Sequence, residues 1–352
     1  MRPRSADFIC LLLVMGSATC AAAGAEKDEG TAAAVTPGVS VEKVTFQGWT
    51  NAWRLSNRAC ELIVVPQLSR VMYFGLKGGS NLLWVAPSAN GQEYAGPGGE
   101  WRNLGGDKIW PEPQAVFGWP PPYFFDNAPS DAEAIAGGVR LKTRAVAPRL
   151  GCVCVREFTL DADAARVSIR QCFEKSAGEP LALTLWNVTQ VCTPTYSLLP
   201  LGPADGAKPR YREFEPGKIK AQDIQLGETV LALRPSAQGA KVGVSPLADG
   251  SNGWVAAVYP ACMLVEARTI QKAPEYPDAN CHAEVYCATP EHGAYVELEL
   301  LSPLKTLKSG ETLRDDMVWQ IVPLTEAQAR DPEQAAAAAR TAHATELQLP
   351  AR

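Results

Sequence analysis

Histidine is nearly missing from this chain. Among 352 residues there are three, His282, His292 and His343. His292, in a turn, and His343, in a helix, read as surface residues, which leaves His282 as the one candidate for acid–base work. Positive charge is also short, with 33 Lys and Arg against 38 Asp and Glu, net −5, so nucleic acid is disfavoured as a partner. No apolar run after the first residues is long enough to span a bilayer. There is no GxSxG elbow, no phosphate-binding loop and no dinucleotide fingerprint, and no CxxC zinc spacing. No metal and no cofactor is therefore expected. Repeats at propeller or solenoid periods are absent as well.

What is present begins with an export signal. Arg2 and Arg4 precede the apolar run Phe8 to Met15, and small residues follow to Ala25. This predicts a signal peptide over residues 1–25 and an exported, periplasmic or extracellular protein. Cys20 raises lipid anchoring as an alternative, although Ser17, Ala18 and Thr19 lack the lipobox leucine. Residues 26–40 read as a disordered leader. Two of the ten cysteines, Cys10 and Cys20, fall in the signal. The other eight suggest disulfides in an exported chain, or small buried hydrophobes; a cross-strand Cys154–Cys172 bridge is one possibility.

From Val41 onward, short alternating runs recur, each ended by Gly, Pro, Asn or Asp; examples are Arg70–Leu76, Leu181–Cys192 and Tyr295–Leu301. Strands without intervening helical periods imply an all-β fold, a large antiparallel sandwich over residues 41–324. The one helix expected is Thr325 to Ala344, peripheral, within a C-terminal segment 325–352.

Residues 101–126, WRNLGGDKIWPEPQAVFGWPPPYFFD, do not resemble a core element. Five prolines exclude a continuous helix or a central strand and predict a stiff, irregular loop. Trp101, Trp110 and Trp119 bring flat aromatic faces, and Asn103, Asp107 and Lys108 bring groups that reach hydroxyls. A sugar is the ligand this mixture suits. The alternative is a hydrophobic plug on the open end of the sandwich. A second informative place is the hairpin after Cys281. Alternation puts His282, Glu284 and Tyr286 on one face, with Tyr295, Glu297 and Glu299 sharing the opposite strand's face. A turn centred on Pro290 to Glu291 would set Tyr286 opposite Tyr295, Glu284 opposite Glu297 and His282 opposite Glu299. Facing carboxylates beside a histidine would suit acid–base chemistry, and a plain solvated face would look the same.

The segments NLGGDKIWPEPQ, LTLWNVTQV and YVELELLSPLKTLKSGETL, in that order, resemble the galactose mutarotase-like (aldose 1-epimerase) superfamily. They resemble in particular an exported bacterial branch whose motif joins a glycine pair, a basic residue and Trp-Pro. The resemblance runs from about Val41 to Leu324. It implies a large antiparallel supersandwich that holds sugars on a concave face. It further implies a glutamate base at Glu299, with Glu297 as neighbour, and a sugar-fixing basic residue at Lys108. The family's histidine on the middle strand has no counterpart, since Leu185, Trp186 and Asn187 stand there; His282 or Lys108 would have to serve. Three readings follow. One is a sugar-binding protein, non-catalytic or weakly catalytic, using Trp101, Asn103, Asp107, Lys108, Trp110, Trp119, Asn187 and Gln190. The second is a sugar 1-epimerase using Glu299, Glu297, His282 and Lys108. The third is a module that docks a protein partner through the aromatic loop.

Overall fold

The computed structural model describes residues 26–27, 36–93, 96–204, 209–271 and 275–344. The signal peptide, Cys20, most of the expected leader and the tail from residue 345 lie outside the described residues.

Alternation of apolar and polar side chains decides the architecture. In Tyr295–Leu301, Val296, Leu298 and Leu300 face one way and are buried, and in Ala283–Cys287, Ala283, Val285 and Cys287 do the same. Each such face must find another apolar face, and two antiparallel sheets supply it. The first sheet runs in the order Arg70–Leu76, Asp107–Glu112, Leu181–Cys192, Tyr295–Leu301, Ala283–Cys287 and Lys241–Val244 through its centre. The second contains Trp254–Val258, Cys262–Arg268, Met317–Pro323, Arg166–Lys175 and Cys152–Leu160 side by side. Leu62, Phe74, Val191, Leu298 and Leu300 from the first sheet meet Phe158, Ile169, Leu264 and Trp319 from the second in one core. Each such side chain contributes roughly 1.5–3 kcal/mol on burial.

Three local expectations are revised. Within the aromatic stretch, Asp107–Glu112 is a strand at the centre of the first sheet rather than loop. It meets Arg70–Leu76 only at Val71↔Asp107, whereas its pairing with Leu181–Cys192 continues to Glu112. Pro111 therefore lies beyond the end of the shorter ladder, where a missing N–H breaks no bond to it. The C-terminal helix is two, Glu326–Arg330 and Pro332–Ala344, because Pro332 interrupts the run and Asp331 caps the second through the Glu333 N–H. Ala335, Ala336 and Ala339 pack, with Ala329, against Tyr196, Trp254 and Met263, covering the second sheet's outer face. Finally, Cys154 pairs with Phe173 and Cys172 with Val155. One register step puts the two sulfurs on opposite faces, so no bridge joins them, and Cys60, Cys152, Cys154, Cys172, Cys262, Cys281 and Cys287 are free thiols.

Candidate functional site

With one face of the first sheet committed to the core, the other face carries its chemistry. Val188 on the middle strand pairs with Lys108 on one side and Glu299 on the other. One pair along, Gln190 stands beside Glu297, and in the other direction Trp186 stands beside Trp110. Across the hairpin, Glu284 pairs with Glu299 and Tyr286 with Glu297. This is two residues from the register expected from a turn at Pro290, since the turn is centred one residue further on, between Glu291 and His292. An even shift keeps every side chain on its face.

The carboxylates share one ammonium that the sequence did not single out. Lys241 Nζ lies 2.5 Å from Glu284 Oε2, 3.0 Å from Glu299 Oε2 and 3.9 Å from Asp278 Oδ2. It also sits 4.9 Å from the Trp186 ring centre. Burial alone would lower the Lys241 pKa, but Glu284 and Glu299 outweigh it and hold it well above the usual lysine value. Burial raises Glu299 and Glu284 against the pull of Lys241. Trp186 Nε1 donates to Glu299 Oε2 at 2.6 Å, so one oxygen of that carboxylate is held from two sides. Asp278 arrives on a turn in which Asp278, Ala279 and Asn280 have φ of 49°, 57° and 71°. Three successive left-handed non-glycine residues are costly, and such strain concentrates at functional sites.

Lys108 is the opposite case. It is 1% exposed, its Nζ has no hydrogen-bond partner, and Glu297 Oε1 is 3.9 Å away. The ammonium lies 4.7 Å from the Trp110 ring centre. Burial pulls its pKa down to about 8, with Glu297 opposing. Gln190 Nε2 donates to Glu297 Oε1 at 2.8 Å, and Gln190 Oε1 is left without a partner. At the far end of the same strand, burial pushes Glu112 up to about 7.

The aromatic segment is assembled on a buried carboxylate, Asp126. Trp101 and Trp110 each donate their indole N–H to it at 3.0 Å, and Arg70 Nη2 at 2.8 Å. Trp119 is 61% exposed and meets Trp101 and Trp110 edge-on at 4.9 and 6.3 Å. Asn103 is half-buried nearby, its Oδ1 accepting the Gly105 N–H at 3.4 Å.

Lys108, Trp110, Gln190, Glu297 and Glu299 are thus brought together, with Trp101, Trp119 and Asn103 flanking them. Three expected residues lie elsewhere. Asp107 faces the second sheet, where it accepts from Arg156 at 2.5 Å and from the Thr189 hydroxyl at 3.0 Å. Asn187 is also turned inward and exchanges hydrogen bonds with Gln171. Both sit one residue out of phase with the outer face. His282 precedes its strand, where alternation no longer governs, and is wholly buried. Its ring nitrogens face the Val244 and Asn252 carbonyl oxygens at 3.0 and 2.8 Å. Those acceptors would favour the imidazolium, but burial beside Arg268 outweighs them and draws the pKa down to about 3. It cannot reach a ligand on the outer face. Among the described residues, no cluster of three or more His, Cys, Asp or Glu is arranged to hold a metal.

The two large antiparallel sheets match the galactose mutarotase-like sandwich fold. The structure is similar to that of a galactose mutarotase-like protein from Lactobacillus casei, at 11% identity over 77% of this chain and 100% of that one, with a TM-score of 0.52. A putative mutarotase from Salmonella typhimurium matches at 11% identity over 86% and 98% of the chains, with a TM-score of 0.54. A putative aldose 1-epimerase from Escherichia coli K12 matches at 15% identity over 78% and 99%, with a TM-score of 0.52. These identities speak for the fold alone. No curated protein matches the chain. The chain belongs to the family described as Domain of unknown function (DUF4380), whose model matches residues 51–322.

Proposed function

We propose that this is an exported carbohydrate-binding protein whose sugar site is the outer face of the first sheet, around Lys108, Trp110, Gln190, Glu297 and Glu299. One observation carries the reading. Lys108 buries an ammonium with no hydrogen-bond partner beside a tryptophan face, and Gln190, whose amide N–H bonds the Glu297 oxygen 3.9 Å from that ammonium, leaves its own oxygen unpaired. Orphaned buried donors and acceptors are costly, and a ligand supplying both kinds of group would satisfy them. Sugar hydroxyls do so, and the sugar's C–H faces suit the indole.

A second reading, a sugar 1-epimerase, is favoured by Glu299. Its Oε2 is fixed by Trp186 and Lys241, which is how a general base is held in place. In that reaction Glu299 takes the anomeric hydroxyl proton while an acid protonates the ring oxygen. With His282 buried away, Lys108 is the group suited to the second role, having its pKa lowered to about 8. Export rests on the N-terminal signal pattern, and secretion with cleavage near residue 25 is the expected result on expression with the native N-terminus.

Exchange NMR on a panel of monosaccharides and uronic acids separates the readings. Line broadening without anomer exchange supports binding, exchange supports the epimerase, and the absence of both signals removes the epimerase and any monosaccharide ligand. If exchange occurs, Glu299→Gln should slow it by about a hundredfold or more with little change in binding. An unchanged rate would remove Glu299 as base.

A further inference from the structure

We infer that the ligand is an oligosaccharide, and that Trp119 is the platform of an outer subsite one or more sugar residues away from the Lys108–Glu299 centre. The inference rests on the sugar-binding reading and adds to it the size of the ligand.

Trp119 is the one aromatic side chain among the large hydrophobics left exposed in the described residues, where Val146 and Leu226 are the others. A lone exposed apolar residue needs no explanation. Trp119 is not alone. It is the outer end of a chain of ring contacts that continues through Trp110, at 6.3 Å, to Trp186, at 5.3 Å from Trp110. At the inner end Trp186 bonds Glu299, and Lys108 lies over Trp110. The Trp119 ring is thus one indole removed from the Lys108 ammonium and two removed from the Glu299 carboxylate.

The exposure is also built in. Trp101 and Trp110 meet Trp119 at 62° and 77°, so they contact it edge-to-face rather than covering it with a stacked ring. Their own indole N–H groups are both committed to Asp126, which fixes the two rings that support Trp119. Three prolines, Pro120 to Pro122, follow directly and restrict the backbone. Around Gly118, immediately before, the space is open. A rigid aromatic face of this kind binds a pyranose at small entropic cost, since there is little side-chain or loop freedom left to lose. A single sugar bonded to Lys108 and Glu297 leaves that platform unused. A chain extending outward along the tryptophans uses both.

The test is chain-length dependence, measured by titration calorimetry. Two ladders of one to four units serve as probes, β-1,4-linked glucose and α-1,4-linked galacturonate. Affinity should rise about tenfold or more from one unit to three on one of the ladders. In Trp119→Ala the ratio of three-unit to one-unit affinity should fall towards one, and Trp119→Phe should restore much of it. Should the alanine variant fail to fold, Trp119→Leu, which keeps apolar bulk without a flat aromatic face, provides the same reading. Equal affinity at every length, or a length gain that survives Trp119→Ala, overturns the inference while leaving monosaccharide binding intact. Silence of both ladders, together with silence of the monosaccharide panel, overturns the sugar reading and this inference with it.

Discussion

On the proposed function, Lys108 sets folding against binding. Its pKa falls from 10.5 to about 8 through burial, a penalty of roughly 3 kcal/mol on the charged form. Lys108→Met should therefore stabilise the protein by about 1–3 kcal/mol at pH 7 in urea unfolding, and weaken sugar binding. Because the folded pKa lies below the unfolded one, the native protein should itself gain stability as pH rises from 8 towards 10.5, closing the gap to the variant. A less stable Lys108→Met would mean that Glu297 depends on the ammonium more than the 3.9 Å separation implies. His282 acts at the other end of the scale. With a folded pKa of about 3 against 6.5, its contribution is whole above pH 6.5 and is lost as pH falls towards 3, on the order of 5 kcal/mol. Thermal unfolding over pH 7 to 4 should show a shallower slope in His282→Gln. At this scale the sequence was informative about Glu299, Glu297 and Gln190, since strand alternation assigns faces. It was silent on Lys241, which opens a four-residue strand of unremarkable composition and gains its meaning from strands far along the chain.

Among the elements, the aromatic segment depends most on a single residue. Asp126 accepts from Arg70, Trp101 and Trp110 while fully buried. Asp126→Asn leaves the Arg70 guanidinium without its counter-charge, and should cost about 3–5 kcal/mol. The loss should show in chemical unfolding, together with faster amide exchange across residues 113–127; unchanged exchange there would mean that the prolines alone hold the segment. Its prolines do exclude a continuous helix from residue 113 on, where only the short turns Gln114–Val116 and Tyr123–Asp126 form, yet they concealed the strand Asp107–Glu112, because a proline at the end of a ladder is tolerated where one in the middle is not. The hairpin's faces were legible and its register was not, since the centre of a turn cannot be located from polarity alone. Asp107 and Asn187 were misplaced for a related reason: a polar residue in a strand reads as outward-facing, and here the interior between the sheets holds its own polar pairs.

Across the whole molecule, the two-sheet sandwich was legible because alternation repeats in strand after strand, and errors at single strands do not change the sum. The cysteines were less so. An even count suggested bridges, whereas register separates Cys154 from Cys172, and burial raises the pKa of thiols such as Cys60 and Cys287 to about 12. Alkylation of unfolded, unreduced protein should label Cys60, Cys152, Cys154, Cys172, Cys262, Cys281 and Cys287, as read by mass spectrometry; fewer labels among these seven would reveal bridges. The tryptophans have an optical consequence. Four of the nine in the chain, Trp101, Trp110, Trp119 and Trp186, form one set of edge-to-face contacts at 4.9 to 6.3 Å. Transition dipoles that close and that steeply inclined couple as excitons, so the native protein should show a signed circular dichroism couplet in its indole bands. Anything that settles on the outer ring would perturb that couplet, giving the molecule a built-in chromophore for occupancy of the proposed site.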